Sequence, residues 1–497
     1  MATSHRAARA VIVWGTSSGA GKSWLVTALC RWAARHGVRV APFKAQNMSN
    51  NARVVPIAAR GTDEGLGEIG SAQYFQALAA RVPPEVDINP VLLKPERDTA
   101  SQVVVHGRAD AALSRLPWRE RSAALAAAAR DSFQRLAARH ELLVIEGAGS
   151  PAEINLAAQD YVNLGAARWA REAGRLRALL VADIDRGGAF AHLHGTWALL
   201  PADLRPALAG FVLNKFRGDA TLLAPGPEQL RALTGVPVLG VLPMRRDHGL
   251  PDEDGIALPP PAAAHGPRIA VVAWPRISNL DEFQPLAAAA SLRWARGAAE
   301  LADADWIVLP GSKQLSGDLA WLRANGFDEA IARHLRQGRP LLGICGGLQA
   351  LGQSLDDPEG ADGEPHGPLP GLDRLPLSTR YAAPKRLRAA PVRFGSLAPP
   401  WQALSGLVLP GYEIRCGRST AIGAAARPVL FDAQGEAIGW QAGPVLGIAA
   451  HGLFENAAVL RALFGGRVRT LDDSFDLLAE LIDEHLGAAT LRALTRC

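Results

Sequence analysis

The sequence predicts an α/β protein in two parts, each built around a mostly parallel β-sheet. Short apolar runs alternate with amphipathic helical stretches in the first part of the chain, and a second alternating series follows the first. Between the two series, residues 250–267 are rich in proline and lack a strand pattern. We therefore expect an N-terminal domain over residues 1–249, a linker over 250–267 and a C-terminal domain over 268–497.

Composition narrows the class of protein. With 497 residues, 48% hydrophobic and 20% charged, the chain is too long for one ordinary core and is typical of a globular protein. No apolar run approaches the roughly 20 residues needed to cross a bilayer, so we expect a cytoplasmic protein without membrane insertion. The net charge is only +5 and no cluster of basic residues occurs, which disfavours a nucleic acid partner. The four cysteines lack CxxC spacing, so neither a zinc site nor a disulfide framework is predicted.

A glycine-rich segment near the start of the chain predicts a phosphate site. GTSSGAGKS, which ends at Ser23, lies between the apolar run AVIVW and a helical stretch. Backbone N–H groups in such a loop, including those of Gly19 and Gly21, can cradle the phosphates of ATP. Lys22 would reach the outer phosphates, and the Ser23 hydroxyl would bind Mg²⁺. The loop is one residue longer than the common GxxxxGK[ST] pattern and resembles that of the dethiobiotin-synthetase branch of P-loop proteins.

Three further polar residues follow strand-like runs in this half. Glu146 ends the run ELLVIE, where its carboxylate can hold Mg²⁺ against the phosphates. Asn214 follows another run and is predicted to hydrogen-bond the nucleotide base. Lys44 comes just after the second strand and is expected to contact the γ-phosphate or a substrate carboxylate.

A second constellation in the C-terminal half predicts a thiol nucleophile. Cys345 lies within G-x-C-x-G between an apolar strand and a helical stretch, which is typical of a sharp strand-to-helix turn that exposes the side chain. His451, after the last apolar strand, is the predicted base. Backbone N–H groups of Gly346 and of Gly311, in the run VLPGSK, would stabilise the oxyanion of an acyl-transfer reaction.

Taken together, these segments resemble a known family. GICGGLQ, LPGS and the late AHG are similar to class I glutamine amidotransferases, and FKAQNMSNN, EIGSAQ, INPVLLKP, EGAGSPAEINL, DIDRGGAFA, NKFRGD and PGYEIRCG resemble the cobyric acid synthases. In that family a dethiobiotin-synthetase-like P-loop domain is fused to a flavodoxin-like class I glutaminase domain. The resemblance runs through nearly the whole chain.

The resemblance implies a reaction, its substrates and several residue roles. It implies that ATP, Mg²⁺ and L-glutamine are used to amidate the b, d, e and g carboxylates of adenosylcobyrinic acid a,c-diamide, which gives adenosylcobyric acid. Cys345 would form the glutamyl thioester, His451 would be its acid–base partner, and Gln349 would help to hold glutamine. An acyl phosphate would form first, and ammonia from glutamine would displace its phosphate.

Two alternatives and one departure accompany this prediction. The chain can also be a cobyrinate a,c-diamide synthase, which shares the architecture, or a P-loop regulatory ATPase with an inert glutaminase-like domain. Triad glutaminases carry a Glu two residues after the histidine, where this sequence has Leu453. The sequence therefore leaves the group that orients His451 open, with Glu455 as a weak candidate and a Cys–His dyad as the preferred interpretation.

Overall fold

The computed structural model describes residues 8–57, 65–97, 100–245, 248–250, 266–466 and 469–495. The chain divides into two compact units. The first unit comprises Met1–Ser49, Val55–Asp254 and Leu471–Cys497, and the second comprises Asn50–Val54 and Gly255–Thr470. Most of the predicted linker, residues 251–265, lies outside the described residues.

The first unit is built on a six-stranded parallel sheet, which confirms the predicted fold class. The strands in the first half of the chain are β1 (Ala8–Gly15), β2 (Val40–Phe43), β3 (Gln46–Met48), β4 (Ala52–Pro56), β5 (Leu66–Gly70), β6 (Val91–Arg97), β7 (Ala100–Val105), β8 (Arg108–Ala109), β9 (Leu142–Glu146), β10 (Gly174–Asp183), β11 (Leu208–Phe216) and β12 (Val238–Pro243). The order in the main sheet is β12-β11-β10-β1-β9-β2, while β3-β6-β7-β8 form a smaller sheet and β4 pairs with β5. The central strands are apolar and buried on both faces, as expected of a parallel sheet covered by helices.

Helices cover this sheet. They are α1 (Lys22–Arg35), α2 (Ser71–Ala79), α3 (Ala111–Arg115), α4 (Trp118–Arg139), α5 (Ala166–Ala173), α6 (Ala189–Leu199) and α7 (Gly226–Thr234). The order β1, glycine loop, α1 agrees with the predicted strand–loop–helix. Because parallel strands end at the same edge, the residues that follow β1, β2, β9, β10 and β11 are brought together there.

The second unit contains a mixed sheet with a parallel core. Its strands are β13 (Arg268–Val272), β14 (Ile277–Ser278), β15 (Ser291–Ala295), β16 (Trp306–Leu309), β17 (Gly311–Ser312), β18 (Leu341–Ile344), β19 (Ser354–Asp357), β20 (His366–Pro370), β21 (Leu377–Phe394), β22 (Val408–Ala421), β23 (Arg427–Phe431), β24 (Ala437–Ala442) and β25 (Val445–Ile448). The parallel core runs β15-β13-β16-β18-β25. The helices are α8 (Leu315–Ala324), α9 (Phe327–Arg336), α10 (Gly346–Leu351) and α11 (Ala457–Phe464).

The C-terminal residues differ from the predicted domain boundary. Two last helices, α12 (Leu471–Leu486) and α13 (Ala488–Thr495), belong to the first unit and not to the second. Arg31 of α1 is 2% exposed, and its Nε donates to Asp476 at 2.8 Å. Trp32 donates to Asp483 at 2.9 Å. These contacts of α1 are non-local in sequence, so the alternation of apolar runs carries no signal for them.

A second difference concerns the stretch from Asp356 to Pro384, which the high Gly, Pro and Asp content predicts as a solvated loop. The structure places β20 and part of β21 in it. Asp357 is fully buried and accepts from the backbone N–H groups of Ala361 and Asp362 at 2.8 and 2.7 Å. Asp362 in turn accepts from the N–H groups at the start of α8. These two carboxylates accept hydrogen bonds from backbone N–H groups, and the composition of the segment does not reveal such bonds.

Candidate active sites

The glycine loop of the first unit wraps around the side chain of Lys22. Its Nζ atom donates to the carbonyl oxygens of Ser17 and Gly149 at 3.0 and 3.1 Å, so the lysine bridges this loop and the segment after β9. Gly19 and Gly21 have φ values of 72° and 102°, in the left-handed region that favours glycine. The predicted phosphate-loop residues therefore lie together at the N-terminus of α1.

Glu146 is fully buried and lies at the end of β9, the strand between β1 and β2. Its Oε1 accepts from Ser23 Oγ and from Lys44 Nζ, both at 2.8 Å, and its Oε2 accepts from Gln76 Nε2 at 2.5 Å. The structure thus brings together the two predicted Mg²⁺ residues and places Lys44 directly on one of them. An ammonium partner reduces the cost of burying this carboxylate.

The residues after β10 and β11 complete the loop's surroundings. Asn214 Nδ2 donates to the carbonyl oxygen of Ala20 at 2.9 Å, so the structure places this predicted base-binding residue against the loop backbone. Lys215, which the sequence analysis did not single out, has φ 60° and donates to Gly19 O at 2.7 Å and to Asp183 at 3.0 Å. Asp183 and Asn214 are register partners in adjacent parallel strands. Asp183 and Lys215 belong to the motifs DIDRGG and NKFRGD, which the sequence analysis noted. The sequence alone did not show that their side chains contact each other.

Several amide side chains of the first unit are buried, and one of them, Gln76, contacts Glu146. Asn47, Gln73 and Gln76 are 4%, 0% and 0% exposed. Among the described residues, Asn47 Nδ2, both polar atoms of Gln73 and Gln76 Oε1 make no hydrogen bond. A Cβ built on Gly70 would lie 2.5 Å from Gln73 Oε1 and 2.6 Å from Asn47 Nδ2, so two of these amides converge on one point. Buried polar atoms without partners cost free energy unless a ligand satisfies them.

The donor set fits a magnesium nucleotide. Mg²⁺ takes hard oxygen ligands and is held by one or two protein side chains plus phosphate oxygens and water. The Ser23 hydroxyl and the Glu146 carboxylate supply such oxygens at the end of the glycine loop. In the described part of the chain no group of three or more His, Cys, Asp or Glu side chains is arranged to hold a metal, so an all-protein metal cage is not found there.

In the second unit, Cys345 occupies a strained turn between β18 and α10, as predicted. Its φ and ψ are 52° and −103°, a left-handed conformation that is rare for a residue with a side chain. A Cβ on Gly343 would lie 2.6 Å from the carbonyl group of Gly347, so the glycine on the strand side is required for the backbone to pass this closely. The thiol is 6% exposed and lies 4.0 Å from the carbonyl oxygen of Ile414 on β22.

His451 is held between the thiol and a carboxylate. Its Nδ1 lies 2.9 Å from Glu282 Oε1, and the other oxygen of Glu282 accepts from the backbone N–H of Gly452 at 3.0 Å. The Cys345 side chain also interacts electrostatically with His451. Because Nδ1 is engaged by Glu282, the remaining nitrogen, Nε2, is the one that serves Cys345. The arrangement is a Cys–His–Glu triad rather than the expected dyad.

The orienting carboxylate comes from a position that the sequence analysis missed. Glu282 lies in a short 3-10 helix, Leu280–Phe283, far from His451 in the chain. The carboxylate of Glu455, the weak candidate, accepts from Arg53 at 2.8 Å, whereas Nδ1 of His451 is paired with Glu282. The carboxylate that orients His451 is therefore Glu282 and not Glu455. No sequence spacing could identify Glu282, since it becomes a neighbour of His451 only through the fold.

The environment of His451 favours its charged form. Burial alone would lower the pKa of the imidazole, but the charges of Glu282 and Cys345 and their hydrogen bonds outweigh it and raise the pKa to about 10. The Tyr412 ring stacks on the imidazole at 5.3 Å, and the two residues exchange backbone hydrogen bonds. The site thus favours an imidazolium beside the Cys345 sulfur.

The loop at Gly311 faces the nucleophile. A Cβ on Gly311 would lie 3.1 Å from His451 Cε1, and one on Gly346 would lie 2.7 Å from the nitrogen of Ser312. Trp274 Nε1 donates to Gly311 O at 3.1 Å. Because the C=O and N–H of one trans peptide point in opposite directions, this bond turns the Ser312 N–H away from Trp274. The Ser312 N–H is therefore an oxyanion donor candidate beside the predicted Gly311 and Gly346.

Gln349 lies behind the nucleophile with a fixed orientation. Its Oε1 accepts from Tyr381 Oη at 2.8 Å, and its Nε2 would lie 2.6 Å from a Cβ on Gly417. The residue is 5% exposed. The structure thus places the predicted glutamine-binding residue one helical turn from Cys345, next to Gly417 of β22.

No helix in the described part of the chain is long and apolar enough to cross a membrane.

Comparisons with known proteins agree with this two-part organisation. Residues 11–255 match the family described as the CobQ/CobB/MinD/ParA nucleotide binding domain, and residues 268–459 match the CobB/CobQ-like glutamine amidotransferase domain. Cobyric acid synthases of Methylibium petroleiphilum, Leptothrix cholodnii and Variovorax paradoxus are 61%, 59% and 56% identical to this chain. The alignments cover 98% of this chain and 97%, 97% and 99% of these relatives. The predicted resemblance is confirmed, and the chain belongs to the cobyric acid synthase family.

Proposed function

We propose that this protein uses ATP and glutamine to amidate the b, d, e and g carboxylates of adenosylcobyrinic acid a,c-diamide and so makes adenosylcobyric acid. One observation carries the proposal furthest. A Cys345–His451–Glu282 triad and a phosphate loop with the Ser23–Glu146 pair occur on the same chain. One site is suited to release ammonia from glutamine, and the other is suited to activate a carboxylate. The names of the relatives support the corrinoid substrate.

In the glutaminase, the Cys345 thiolate attacks the amide carbon of glutamine. His451 then gives a proton to the departing ammonia, which leaves a glutamyl thioester on the sulfur. In the second half-reaction His451 takes a proton from water, which attacks the thioester and releases glutamate. Glu282 holds the imidazole so that Nε2 faces the sulfur in both steps.

The tetrahedral intermediates of both steps carry an oxyanion. We assign its stabilisation to the backbone N–H groups of Gly346 and of the Gly311–Ser312 segment. Trp274 fixes the peptide that joins Gly311 to Ser312. Loss of one such donor typically costs roughly 2.7–4 kcal/mol of transition-state stabilisation. Gln349, held by Tyr381, would contact the substrate glutamine.

In the synthetase, a carboxylate must gain a better leaving group before ammonia can displace it. ATP with Mg²⁺ supplies the phosphoryl group and the compensating positive charge for an acyl phosphate. Ser23 and Glu146 would hold the metal ion, Lys22 would contact the outer phosphates, and the Gly19 and Gly21 N–H groups would cradle them. Lys44, buried against Glu146, would orient that carboxylate and meet the substrate carboxylate. Asn214 would help to fix the loop on which the nucleotide binds.

Buried amide side chains in the first unit suit the binding of the corrin carboxylate that is amidated. Asn47 and Gln73 present buried amide atoms without hydrogen-bond partners among the described residues, and these atoms converge near Gly70. A side-chain amide can both donate and accept, so it can hold a carboxylate before the reaction and a primary amide after it. That property suits an enzyme that must process several carboxylates on one substrate. We infer that these amides bind the corrin side chain being amidated.

We also place the reaction in the cytoplasm. Cys30, Cys345 and Cys416 are free thiols, and the proposed nucleophile must stay reduced to act. Reduced thiols are the rule in that compartment.

The proposal is tested by product analysis with the purified full-length protein. Adenosylcobyrinic acid a,c-diamide is incubated with ATP, Mg²⁺ and glutamine that carries heavy nitrogen in its amide group. Mass spectrometry is expected to find four heavy amides in the final product. Absence of any amidated product from the a,c-diamide, or amidation of cobyrinic acid at a and c instead, would overturn the assignment.

A Cys345→Ala variant separates the two chemistries. Glutamine-dependent synthesis should be lost, while synthesis from ammonium salt at alkaline pH should remain near that of the wild type. Cys416→Ala is the matched control, because this thiol lies on β22 in the same unit and should be dispensable. A regulatory ATPase with an inert second domain would instead hydrolyse ATP equally in all three proteins and release no glutamate.

A further inference from the structure

A short segment from early in the chain forms part of the second unit. Residues Asn50–Val54 follow β3 in sequence but belong to the unit that holds the thiol. Asn51 Oδ1 accepts from the backbone N–H of Leu280 at 3.0 Å, and Asn279 Nδ2 donates to the carbonyl oxygen of Ala52 at 3.3 Å. These bonds join the segment to the residues that directly precede Glu282 in the chain.

Arg53 is the charged residue of this segment, and it is only 2% exposed. Its guanidinium forms ion pairs with Asp281 and with Glu455, the latter at 2.8 Å. The guanidinium carbon also lies 4.8 Å from the centre of the Tyr412 ring. One buried cation thus pairs with the buried Asp281 and the partly buried Glu455, and it also packs on the aromatic ring that stacks on His451.

The two partners of Arg53 are close to the triad. Asp281 precedes Glu282 in the chain, and Glu455 follows His451 by four residues. Three carboxylates therefore share one buried region beside the catalytic imidazole. The titratable and charged groups that interact across this region are Arg53, Asp281, Glu282, Cys345, Tyr412, His451 and Glu455.

We propose that Arg53 is a positioning residue of the glutaminase, which neutralises Asp281 and Glu455 so that Glu282 alone of these three carboxylates orients His451. Without the guanidinium, the buried Asp281 and the partly buried Glu455 would be left uncompensated near Glu282. Uncompensated carboxylates either take up protons or shift the pKa of neighbouring groups. The imidazolium would then be shared among competing acceptors and would lose its fixed direction toward Cys345.

Arg53 comes from the N-terminal half of the sequence. It lies in the NMSNNAR stretch, which the sequence analysis assigned to the phosphate-binding half. A glutaminase cut to the second series of strands would lack the residue that balances its own buried carboxylates. The inference rests on the proposed glutaminase activity and adds to it a residue that lies outside the segments GICGGLQ, LPGS and AHG.

The test uses three full-length variants. Arg53→Met removes the charge and keeps the length of the side chain. Arg53→Lys keeps one positive charge but cannot bridge two carboxylates with a planar fork. The third variant combines Arg53→Met with Asp281→Asn and Glu455→Gln, so that the cation and both of its carboxylates are removed together. Arg268→Met is the matched control, because Arg268 pairs with Asp303 and Asp305 at the exposed end of β13.

Glutamine hydrolysis is measured against pH, with kcat and KM separated, and synthesis from ammonium salt is measured on the same preparations. We expect Arg53→Met to lower kcat for glutamine hydrolysis by about 10- to 100-fold, the range typical of outer partners of catalytic groups. The alkaline limb of the pH profile should move to higher pH, since unpaired carboxylates favour the imidazolium. The kcat of Arg53→Lys should lie between those of the wild type and Arg53→Met. The uncharged triple variant should recover both the kcat and the pH profile of the wild type.

Several outcomes would overturn the inference. One is a pH profile of Arg53→Met identical to that of the wild type, and another is a triple variant as impaired as the single one while synthesis from ammonium is intact. If Arg53→Met does not fold, the triple variant decides by the same criteria. A wild type that hydrolyses no glutamine would instead refute the proposed function, which keeps the two failures distinct.

Discussion

The Nδ1 atom of His451 lies 2.9 Å from a carboxylate oxygen of Glu282, a residue 169 positions earlier in the chain. The second oxygen of Glu282 accepts from the N–H of Gly452, so both of its oxygens serve the turn that carries the histidine. A carboxylate held in this way fixes the tautomer and the direction of the imidazole. Leu453, which stands where other triads have glutamate, is instead a buried apolar residue.

Replacing Glu282 by Gln tests this relationship. The amide keeps the shape but removes the charge, so the pKa of His451 should fall from its raised value of about 10. We expect kcat for glutamine hydrolysis to fall by about 10²- to 10⁴-fold, in line with loss of the orienting carboxylate in other triads. Steady-state assays of glutamate release across pH measure both effects.

The same variant should also change the pH dependence of stability. A histidine whose folded pKa is raised from 6.5 to about 10 stabilises the fold fully below pH 6.5, and that contribution is lost as the pH rises through the folded value. The free energy of unfolding of the wild type should therefore fall between pH 6.5 and 10 more steeply than that of Glu282→Gln. The exposed residue Glu329 gives the control, since Glu329→Gln should leave activity and slope unchanged. Equal slopes in all three proteins would contradict the triad.

Trp274→Phe tests the orientation of the Gly311–Ser312 peptide. The phenyl ring fills most of the same buried space but cannot donate to Gly311 O. We expect kcat for glutamine hydrolysis to fall by about tenfold or more, with a loss of only about 1 kcal/mol of stability. Trp401→Phe is the matched control, because this buried indole also donates to a backbone carbonyl, that of Pro444, at 2.9 Å. Equal kinetic losses in the two variants would argue that the bond has no special part in catalysis.

Lys44→Met tests the synthetase. Lys44 is buried on Glu146, so its loss should disturb the group proposed to hold Mg²⁺ and should lower amidation by about 10²-fold or more. The loss of activity should be the same with glutamine and with ammonium salt, because activation of the carboxylate precedes the use of ammonia. Lys94→Met removes another buried lysine of the first unit, which pairs with Glu68, and controls for the structural cost of such a change. A defect limited to the glutamine-dependent reaction would refute the assignment.

The sequence predicted the parts of both sites that are local in the chain. The phosphate loop and the Cys345 turn depend on glycine spacing between a strand and a helix, which periodicity and motif rules detect. The pairing of Ser23 with Glu146 also followed, because parallel strands end at one edge. The contacts that were missed, such as Glu282 with His451 and Arg53 with Glu455, join residues whose separation in the chain carries no periodic signal.

The place of the C-terminal helices was missed for the same reason. Helix α12 follows the second unit in sequence and has an ordinary amphipathic pattern, so composition assigned it to its sequence neighbours. Its partner is α1, through Arg31 and Asp476. A pattern of apolar residues predicts that a helix has a buried face but does not identify the surface that covers it.

Asp318→Asn tests the electrostatics beneath the oxyanion loop. Burial raises the pKa of Asp318 to about 6, although hydrogen bonds from Ser312 Oγ and the Arg276 N–H oppose this. Because the folded pKa exceeds the unfolded value of 3.8, the folded state binds the proton more tightly, and stability is lost as the pH rises from about 4 to about 6. The free energy of unfolding of the wild type should therefore decline over that window by up to about 3 kcal/mol relative to Asp318→Asn. Denaturant unfolding at several pH values measures the difference. If the two curves stay parallel from pH 4 to 6, Asp318 does not titrate in that window.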